Sequence, residues 1–326
     1  MKRPTLVLAL CAAALTATPA FAKEKVTYAY LLDPSIDAVM YAIHTGKVKS
    51  DKIDVETKSL AIPALIQATA AKTYDVVMTA VIGIPRANSQ GLKLTILSTA
   101  LRYSKSGEGA DIWVKADSPI KTVKDLKDKT IGVYALNSTG ITWVRLALWR
   151  NYGMNVSYKD GDSKWVEMPA PALPGALLSG KIDAATLIHS QAYKAAESGQ
   201  FRSLVHTAAD NYAYYKVRPV AAVNVGYPEK IAKRPEAYKE FDRMLKASVD
   251  YALAHLDEVS AAVGKEKNID PGFFKAWFTR FSDFPAAVSD ADLKAIETNW
   301  KESKELGLIK DYPDVKTLVW KDAIRE

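Results

Sequence analysis

The sequence contains almost no cysteine, which removes several classes of chemistry at once. Its single cysteine among 326 residues is Cys11, and this residue lies in an N-terminal apolar stretch that we expect to be cleaved during export. A chain with one thiol forms no internal disulfide, and the loss of Cys11 also removes thiol catalysis and thiolate metal ligation. We therefore expect neither a disulfide nor a catalytic thiol in the exported protein.

Motifs for catalysis and nucleotide binding are also missing. The sequence has no Gly-x-Ser-x-Gly elbow, no Walker-type phosphate loop and no Gly-x-Gly-x-x-Gly fingerprint. The four histidines, His44, His189, His206 and His255, are far apart, and no pair of ligating residues has a spacing typical of zinc or calcium sites. The sequence predicts a protein that is not an enzyme, with no catalytic residue, no metal site and no cofactor.

Only one long apolar run was found in the sequence, and it is too short to cross a membrane. It extends from Leu6 to Ala17 behind two basic residues, whereas a membrane-spanning helix needs about 20 apolar residues. Ala20-Phe21-Ala22 follows with the small-residue spacing that signal peptidase requires. We predict a cleavable signal peptide over residues 1–22 and a periplasmic location.

Strong charge of one sign is absent. The formal net charge is +7, from 44 Lys and Arg against 37 Asp and Glu, and the basic residues form no run of five. This distribution is typical of a solvated surface rather than a nucleic-acid groove. We expect no nucleic-acid partner, although a mild attraction for anions remains.

Strand-like and helix-like segments alternate along the predicted mature chain. Residues 74–80, YDVVMTA, read as a strand, and residues 92–101, LKLTILSTAL, have the apolar character of a buried parallel strand. A second series follows over residues 130–189, and VRPVAAVNVG over residues 217–226 reads as a return strand. Everything beyond Pro228 is predicted to be helical.

The length of the chain exceeds what one hydrophobic core usually supports, so two domains are expected. The fold class is predicted to be α/β, with two lobes joined by two hinge crossings. We place residues 23–112 and 219–326 in lobe 1 and residues 113–218 in lobe 2. In sheets of this kind, ligands bind at the carboxyl ends of the strands.

Three phrases of the sequence carry a likeness to a known family. Residues 74–101 have Asp75, Pro85 and Gly91 at marker positions, and residues 118–155 contain the segments SPI, DLKDK and IGV. The most specific phrase is ALLSGKIDA within residues 169–204. Together they resemble the nitrate/sulfonate/taurine/hydroxymethylpyrimidine-binding family of periplasmic solute-binding proteins, although Asp128 stands where that family usually has glycine.

The resemblance implies a type II periplasmic-binding-protein fold and a substrate-binding role in an ABC importer. Such a protein captures a small-molecule ligand and delivers it to a membrane permease, and we expect it to be a monomer. A sulfonate or another organic acid is the favoured solute; a pyrimidine precursor or other heteroaromatic, a related periplasmic enzyme and a sensory module are the alternatives. Substrate identity does not transfer, because His189, Ser190 and Gln191 replace the acidic residue and proline of many relatives.

The loops after the strand ends provide the candidate ligand contacts. These are Asp33, Ser35 and Thr79 from one lobe, and Ser138, Thr139, Gly140, Thr142, His189 and Ser190 from the other. Free amides at the helix start after Ser138 suit an anionic group. Equally, the hydroxyls fit an ordinary helix cap, and Asp33 fits an ordinary turn.

Arginine suits bidentate contact with an acid group. The sequence offers four candidates for such a contact, namely Arg86, Arg102, Arg145 and Arg218.

Overall fold

A computed structural model describes residues 23–105 and 111–326. The predicted signal peptide, residues 1–22, lies outside the described residues. Within the described part, no helix combines the length and apolar character needed to span a membrane.

The strands of the described residues form two separate sheets. In chain order they are β1 (Glu24–Leu31), β2 (Ile53–Leu60), β3 (Val76–Ala80), β4 (Thr95–Tyr103), β5 (Ile112–Lys115), β6 (Thr130–Val133), β7 (Lys164–Glu167), β8 (Ala184–Thr186), β9 (Phe201–Val205), β10 (Val220–Gly226) and β11 (Ser282–Asp283).

Helices follow most of the strands, as the alternating pattern predicts. They are α1 (Pro34–His44), α2 (Ile62–Ala71), α3 (Gly83–Ser89), α4 (Thr139–Tyr152), α5 (Leu173–Leu178), α6 (His189–Ser198), α7 (Thr207–Tyr215), α8 (Pro228–Lys233), α9 (Pro235–Ala254), α10 (Leu256–Lys267), α11 (Pro271–Ala276) and α12 (Asp290–Glu305).

Each sheet is the centre of one lobe. The first has the order β11-β4-β10-β3-β1-β2, and the second has the order β7-β6-β8-β5-β9. β1 is parallel to β2 and β3, and β6 is parallel to β7 and β8. The parallel strands therefore end at one edge of each sheet, where the following loops can meet.

The prediction that residues 92–101 form a buried parallel strand is wrong in the direction of the neighbouring strands. β4 is buried as expected, but both of its partners, β10 and β11, run antiparallel to it. The reason is topological, because the return strand β10 inserts between β3 and β4 and pairs with both. A buried strand is apolar with either orientation of its neighbours, so composition did not distinguish the two cases.

The chain passes from one sheet to the other twice. It leaves the first sheet after Tyr103, enters the second at Ile112, and returns at Val220. Ile112 pairs with Thr186 and Val205, so its strand belongs to the second sheet. The lobe limits of 23–112 plus 219–326 and 113–218 remain a proposal.

The chain beyond Pro228 is mostly helical, but it also contains the short strand β11. Asp283 in β11 accepts hydrogen bonds from Arg102, with Nε–Oδ1 at 3.1 Å and Nη2–Oδ2 at 3.0 Å. Arg218 also donates to Oδ2 of Asp283 at 3.1 Å. These contacts hold residues 282–283 in extended form against β4. They depend on Arg102 and Arg218, which lie far from β11 in the chain, so the local sequence pattern did not predict this strand.

Buried tryptophans connect the helices to the strand ends. Trp143 in α4 donates from Nε1 to the carbonyl of Val220, at 3.0 Å. Trp300 in α12 donates from Nε1 to the carbonyl of Val81, also at 3.0 Å. Both indoles are fully buried, so each hydrogen bond satisfies a polar group that would otherwise be costly to bury.

A buried carboxyl group on α9 has no such partner. Asp242 is 2% exposed, and neither of its carboxyl oxygens has a hydrogen-bond partner. Burial disfavours the charged form and raises the pKa of Asp242 to about 8. The folded protein therefore keeps this proton over a pH range in which the unfolded chain loses it.

We predict that Asp242 makes the protein less stable as the pH rises from about 4 to about 8. Between these values only the unfolded state releases the proton, so the free energy of unfolding falls by roughly 3 kcal/mol from pH 5 to pH 7. Asp242→Asn should remove this part of the slope in chemical denaturation, while Asp250→Asn, an exposed site on the same helix, should keep it. An unchanged slope in Asp242→Asn would contradict the assignment.

Candidate functional site

A cleft lies between the lobes, at the edges where the parallel strands end. Its middle holds a cavity of about 60 Å³, which we call the central cavity. A larger space of about 500 Å³, the outer cavity, shares Leu31, Ile62, Tyr134 and Ile188 with it. Both lobes contribute walls to both cavities, so a ligand here would contact the two lobes together.

Asp33 and His189 form a buried pair across the cleft. Nδ1 of His189 lies 3.0 Å from Oδ2 of Asp33, and the two side chains are 3% and 7% exposed. Despite this short distance, the angle at Nδ1 does not suit a hydrogen bond, and Nδ1 has no hydrogen-bond partner. The two side chains are therefore close enough for an ion pair, although no hydrogen bond joins them.

Asp33 is also the N-cap of α1. Its Oδ1 accepts from the backbone N–H of Ser35 at 2.9 Å and from the Ser35 hydroxyl at 2.6 Å. Burial works to raise the pKa of Asp33, but His189 and these two hydrogen bonds hold it below its usual value. Asp33 is therefore both a helix cap and a charged wall of the outer cavity.

His189 has an unusual backbone conformation where β8 gives way to α6. Its φ of 48° lies in the left-handed region, which a residue with a Cβ rarely adopts. The imidazole also packs edge-on against Trp277 of the other lobe, with ring centroids 6.3 Å apart. Strain of this kind persists where the surroundings hold a side chain in place, and here they hold the ring at the central cavity.

The start of α4 lines the central cavity from the second lobe. Ser138 is its N-cap and accepts from the N–H of Ile141 at 3.3 Å. The Thr139 hydroxyl accepts from the N–H of Ile82 in the first lobe, at 3.1 Å. Ser138, Thr139 and Gly140 therefore lie where the sequence placed them, but the two hydroxyls already serve backbone groups.

Gly140 is needed because two phenols cover the helix start. A Cβ at this position would lie 2.0 Å from the Tyr134 hydroxyl and 3.1 Å from the Tyr103 hydroxyl. Burial raises the pKa of Tyr134 to about 12, so this phenol stays protonated and can donate a hydrogen bond. Tyr103 and Tyr134 both line the central cavity.

The other predicted contacts divide into two groups. Thr79 and His189 line the central cavity, and Ser190 lines the outer one. Ser35 and Thr142 line neither: the Ser35 hydroxyl is used by Asp33, and the Thr142 hydroxyl donates to the Ser138 carbonyl at 3.1 Å. As ligand contacts Ser35 and Thr142 remain predictions, and in this structure their hydroxyls serve helix ends.

Several lining residues were missed by the sequence analysis. Met78, Tyr103 and Tyr134 line the central cavity, and Glu167 lines the outer one. Tyr134 follows directly after β6, so its position at a strand end was a usable signal. Tyr103 and Met78 lie within strands, and only the pairing of the strands brings them to the cleft.

The lining of the cleft contains acidic side chains but no lysine or arginine among the described residues. Asp33 and Glu167 line the outer cavity, and no lysine or arginine of the described residues lines either cavity. Arg86 is at a separate rim cavity of about 260 Å³, where it donates to the Asn137 side chain at 3.1 Å. Among residues 23–105 and 111–326, no group of three or more metal-ligating side chains is present.

Comparison with known proteins places this geometry in context. A family model described as NMT1/THI5 like matches residues 33–259. No curated protein matches the chain.

Three solved structures show the same fold. The aliphatic sulphonate binding protein SsuA from Escherichia coli is 14% identical, with a TM-score of 0.72 and coverage of 94% of each chain. The alkanesulfonate-binding protein SsuA from Xanthomonas axonopodis pv. citri, bound to MOPS, is 15% identical, with a TM-score of 0.73, and the match covers 92% of this chain and 99% of that one. Protein AF1704 from Archaeoglobus fulgidus is 20% identical, with a TM-score of 0.72 and coverage of 87% and 98%. The predicted two-lobed periplasmic-binding-protein fold is confirmed.

We predict that Gly140→Ala destabilises the protein, because the new methyl group forces the Tyr134 phenol out of its place. Overpacking of this kind costs about 1 to 3 kcal/mol. Gly175→Ala is the matched control, since a Cβ there meets nothing within 4 Å and alanine favours a helix by about 1 kcal/mol. Thermal and chemical denaturation should separate the two variants, and equal stability would show that the phenols are free to move.

Proposed function

The chain belongs to the NMT1/THI5-like family, whose model covers residues 33–259, and from that premise we propose that it is the solute-binding protein of an ABC importer. In this proposal it works as a monomer in the periplasm, captures a small organic solute and delivers it to a membrane permease. It carries out no reaction of its own. The family resemblance seen in the three sequence phrases is confirmed by the match.

The observation that carries the proposal is a cleft with walls from both lobes. Asp33 meets His189, the Thr139 hydroxyl meets Ile82, and Arg86 meets Asn137, each pair joining the two lobes. A ligand held between such walls favours the closed arrangement by its differential affinity for the two states. Closure would then be the signal that the permease reads.

The body of the solute is proposed to be largely apolar. Leu31, Ile62 and Ile188 line both cavities, and Met78 and Leu101 extend the apolar surface of the central one. Binding sites for small molecules usually combine such walls with a few placed polar groups. Here the polar groups are the Tyr134 phenol, His189 and Asp33.

The charge of the lining favours a neutral or cationic solute with hydrogen-bond donors, such as a heteroaromatic amine. Asp33 and Glu167 line the outer cavity, no lysine or arginine of the described residues shares that wall, and an acidic wall repels an anion. The second candidate is a sulfonate, the class named for the SsuA neighbours, or another organic acid. It is favoured by the start of α4, which lines the central cavity through Ser138, Thr139 and Gly140.

We predict that a matched solute raises the melting temperature of the protein, because it binds only the folded state. At 100 times its dissociation constant the stabilisation is about 2.7 kcal/mol. The panel for a thermal-shift screen contains aryl amines, pyrimidines, alkyl and aryl sulfonates, and carboxylates. A hit among the amines or pyrimidines supports the acidic wall, whereas a hit among the acids assigns the head group to the start of α4.

The position of the bound solute is tested with Ala61→Trp. Ala61 is exposed and lines the outer cavity, so an indole there fills the cleft without disturbing the core. We expect at least about a tenfold loss of affinity for the hit by calorimetry, while Ala261→Trp, on the exposed face of α10, retains it. Full affinity in Ala61→Trp, or no hit from the whole panel, would contradict the proposed function.

Export is tested by the cleavage site. Ala20→Leu combined with Ala22→Leu removes the small residues that signal peptidase requires, so we expect the precursor to accumulate. The wild-type product should begin at Lys23 by intact mass. Normal processing of the double variant would refute the predicted signal peptide.

A further inference from the structure

A second groove lies away from the cleft, where the two lobes meet beside α4. Its volume is about 580 Å³. The second lobe contributes α4 and the loop after it, through residues 145–159, and the first lobe contributes residues 306–308, which follow α12. None of its lining residues also lines the central or the outer cavity.

The groove contains a buried arginine without an acidic partner. Arg145 is 5% exposed, and within the described residues no carboxylate lies within ion-pair distance of it. Its Nε donates to the Val156 carbonyl at 2.9 Å, and its guanidinium carbon lies 3.8 Å from the centre of the Tyr158 ring. Six other arginines do have a carboxylate partner: Arg102, Arg150, Arg218, Arg234, Arg243 and Arg325.

The surroundings of Arg145 add positive charge. Lys159 lines the same groove and forms no ion pair in the described structure. Burial lowers the pKa of Arg86 first, and the charge of Arg145 lowers it further, so these two cations repel each other. A buried cation without a counter-ion is costly, and an anion in the groove would relieve that cost.

The nearby acids do not supply this counter-ion. Asp160 accepts from the Ser157 hydroxyl at 2.5 Å, and Asp162 accepts from the N–H of Asn155 at 2.8 Å. Both carboxylates therefore organise the loop itself, and neither lines the groove. The two acids of the loop therefore bond within the loop, whereas its Lys159 lines the groove.

The rest of the groove offers an apolar surface. Trp149, Met154, Leu306 and Leu308 line it. The Arg150 guanidinium covers one face of the Trp149 ring, with its carbon 3.6 Å from the ring centre, so another ring would contact the part of the indole that lines the groove. The combination of one guanidinium, one ammonium and an indole matches a flat molecule with an oxyanion at one end.

We propose that this groove is a second ligand site, which binds a small aromatic oxyanion. Arg145 and Lys159 hold the oxyanion, and the ring lies against Trp149. Because residues 306–308 belong to the first lobe, the bound anion contacts both lobes at a point beside the Arg150 ion pairs with Glu302 and Glu305.

Calorimetric titration with phenyl phosphate tests the site, with phenol as the uncharged ring and inorganic phosphate as the bare oxyanion. We expect phenyl phosphate to bind with a dissociation constant of about 1 mM or lower, and phenol not to bind. Lys159→Ala should weaken binding about fivefold and Arg145→Gln about twentyfold or more. Lys164→Ala, an exposed lysine of the same lobe outside the groove, should leave binding unchanged.

A variant with a blocked cleft distinguishes binding in the groove from binding in the cleft. Ala61→Trp, which fills the outer cavity, should bind phenyl phosphate as the wild type does, so failure of the proposed function leaves this test intact. Because Arg145 is buried, Arg145→Gln can fail to fold. In that case the affinity of Lys159→Ala for phenyl phosphate is compared with that of the wild type. No binding up to about 10 mM, binding unchanged in the lysine variant, or binding lost in Ala61→Trp would each overturn the proposal. Equal affinity for inorganic phosphate would overturn the role of the indole.

Discussion

The insertion of β10 between β3 and β4 is the constraint on which the rest of the structure depends. This strand pairs antiparallel with both neighbours, so the chain must leave the first sheet, build the second, and come back to the middle of the first. The strand is buried along its whole length. Removing it would split the first sheet in two and release both crossings.

The contacts at the two crossings show how the lobes are kept in register. The Tyr103 N–H donates to the Pro219 carbonyl at 2.9 Å, and Arg218 donates from Nε to the Tyr103 carbonyl at 2.8 Å. The outgoing and returning segments are thus hydrogen-bonded to each other. This pairing keeps the strand ends of both sheets facing the same cleft.

Three buried ionisable side chains differ in how their burial is compensated. Asp33 is paired with His189 and held by Ser35, and it lines the cleft. Asp242 has no partner, and its raised pKa keeps it neutral near pH 7. Arg145 has only a carbonyl and a phenol ring, and since an arginine does not lose its proton in a protein, its charge must find an external partner or remain costly.

The sequence by itself determined the alternation of strands and helices, the two-lobed architecture and the strand-end position of Asp33, Ser138 and His189, because periodicity and loop position are local properties. It did not determine the pairing of β4, since a buried strand is apolar whichever way its neighbours run. Only the tertiary structure decided that Ser35 and Thr142 serve helix ends, that Tyr103 reaches the cavity, and that Arg145 has no acid. These facts depend on groups far apart in the chain, and the partner of a polar group is fixed only when the fold brings distant atoms together.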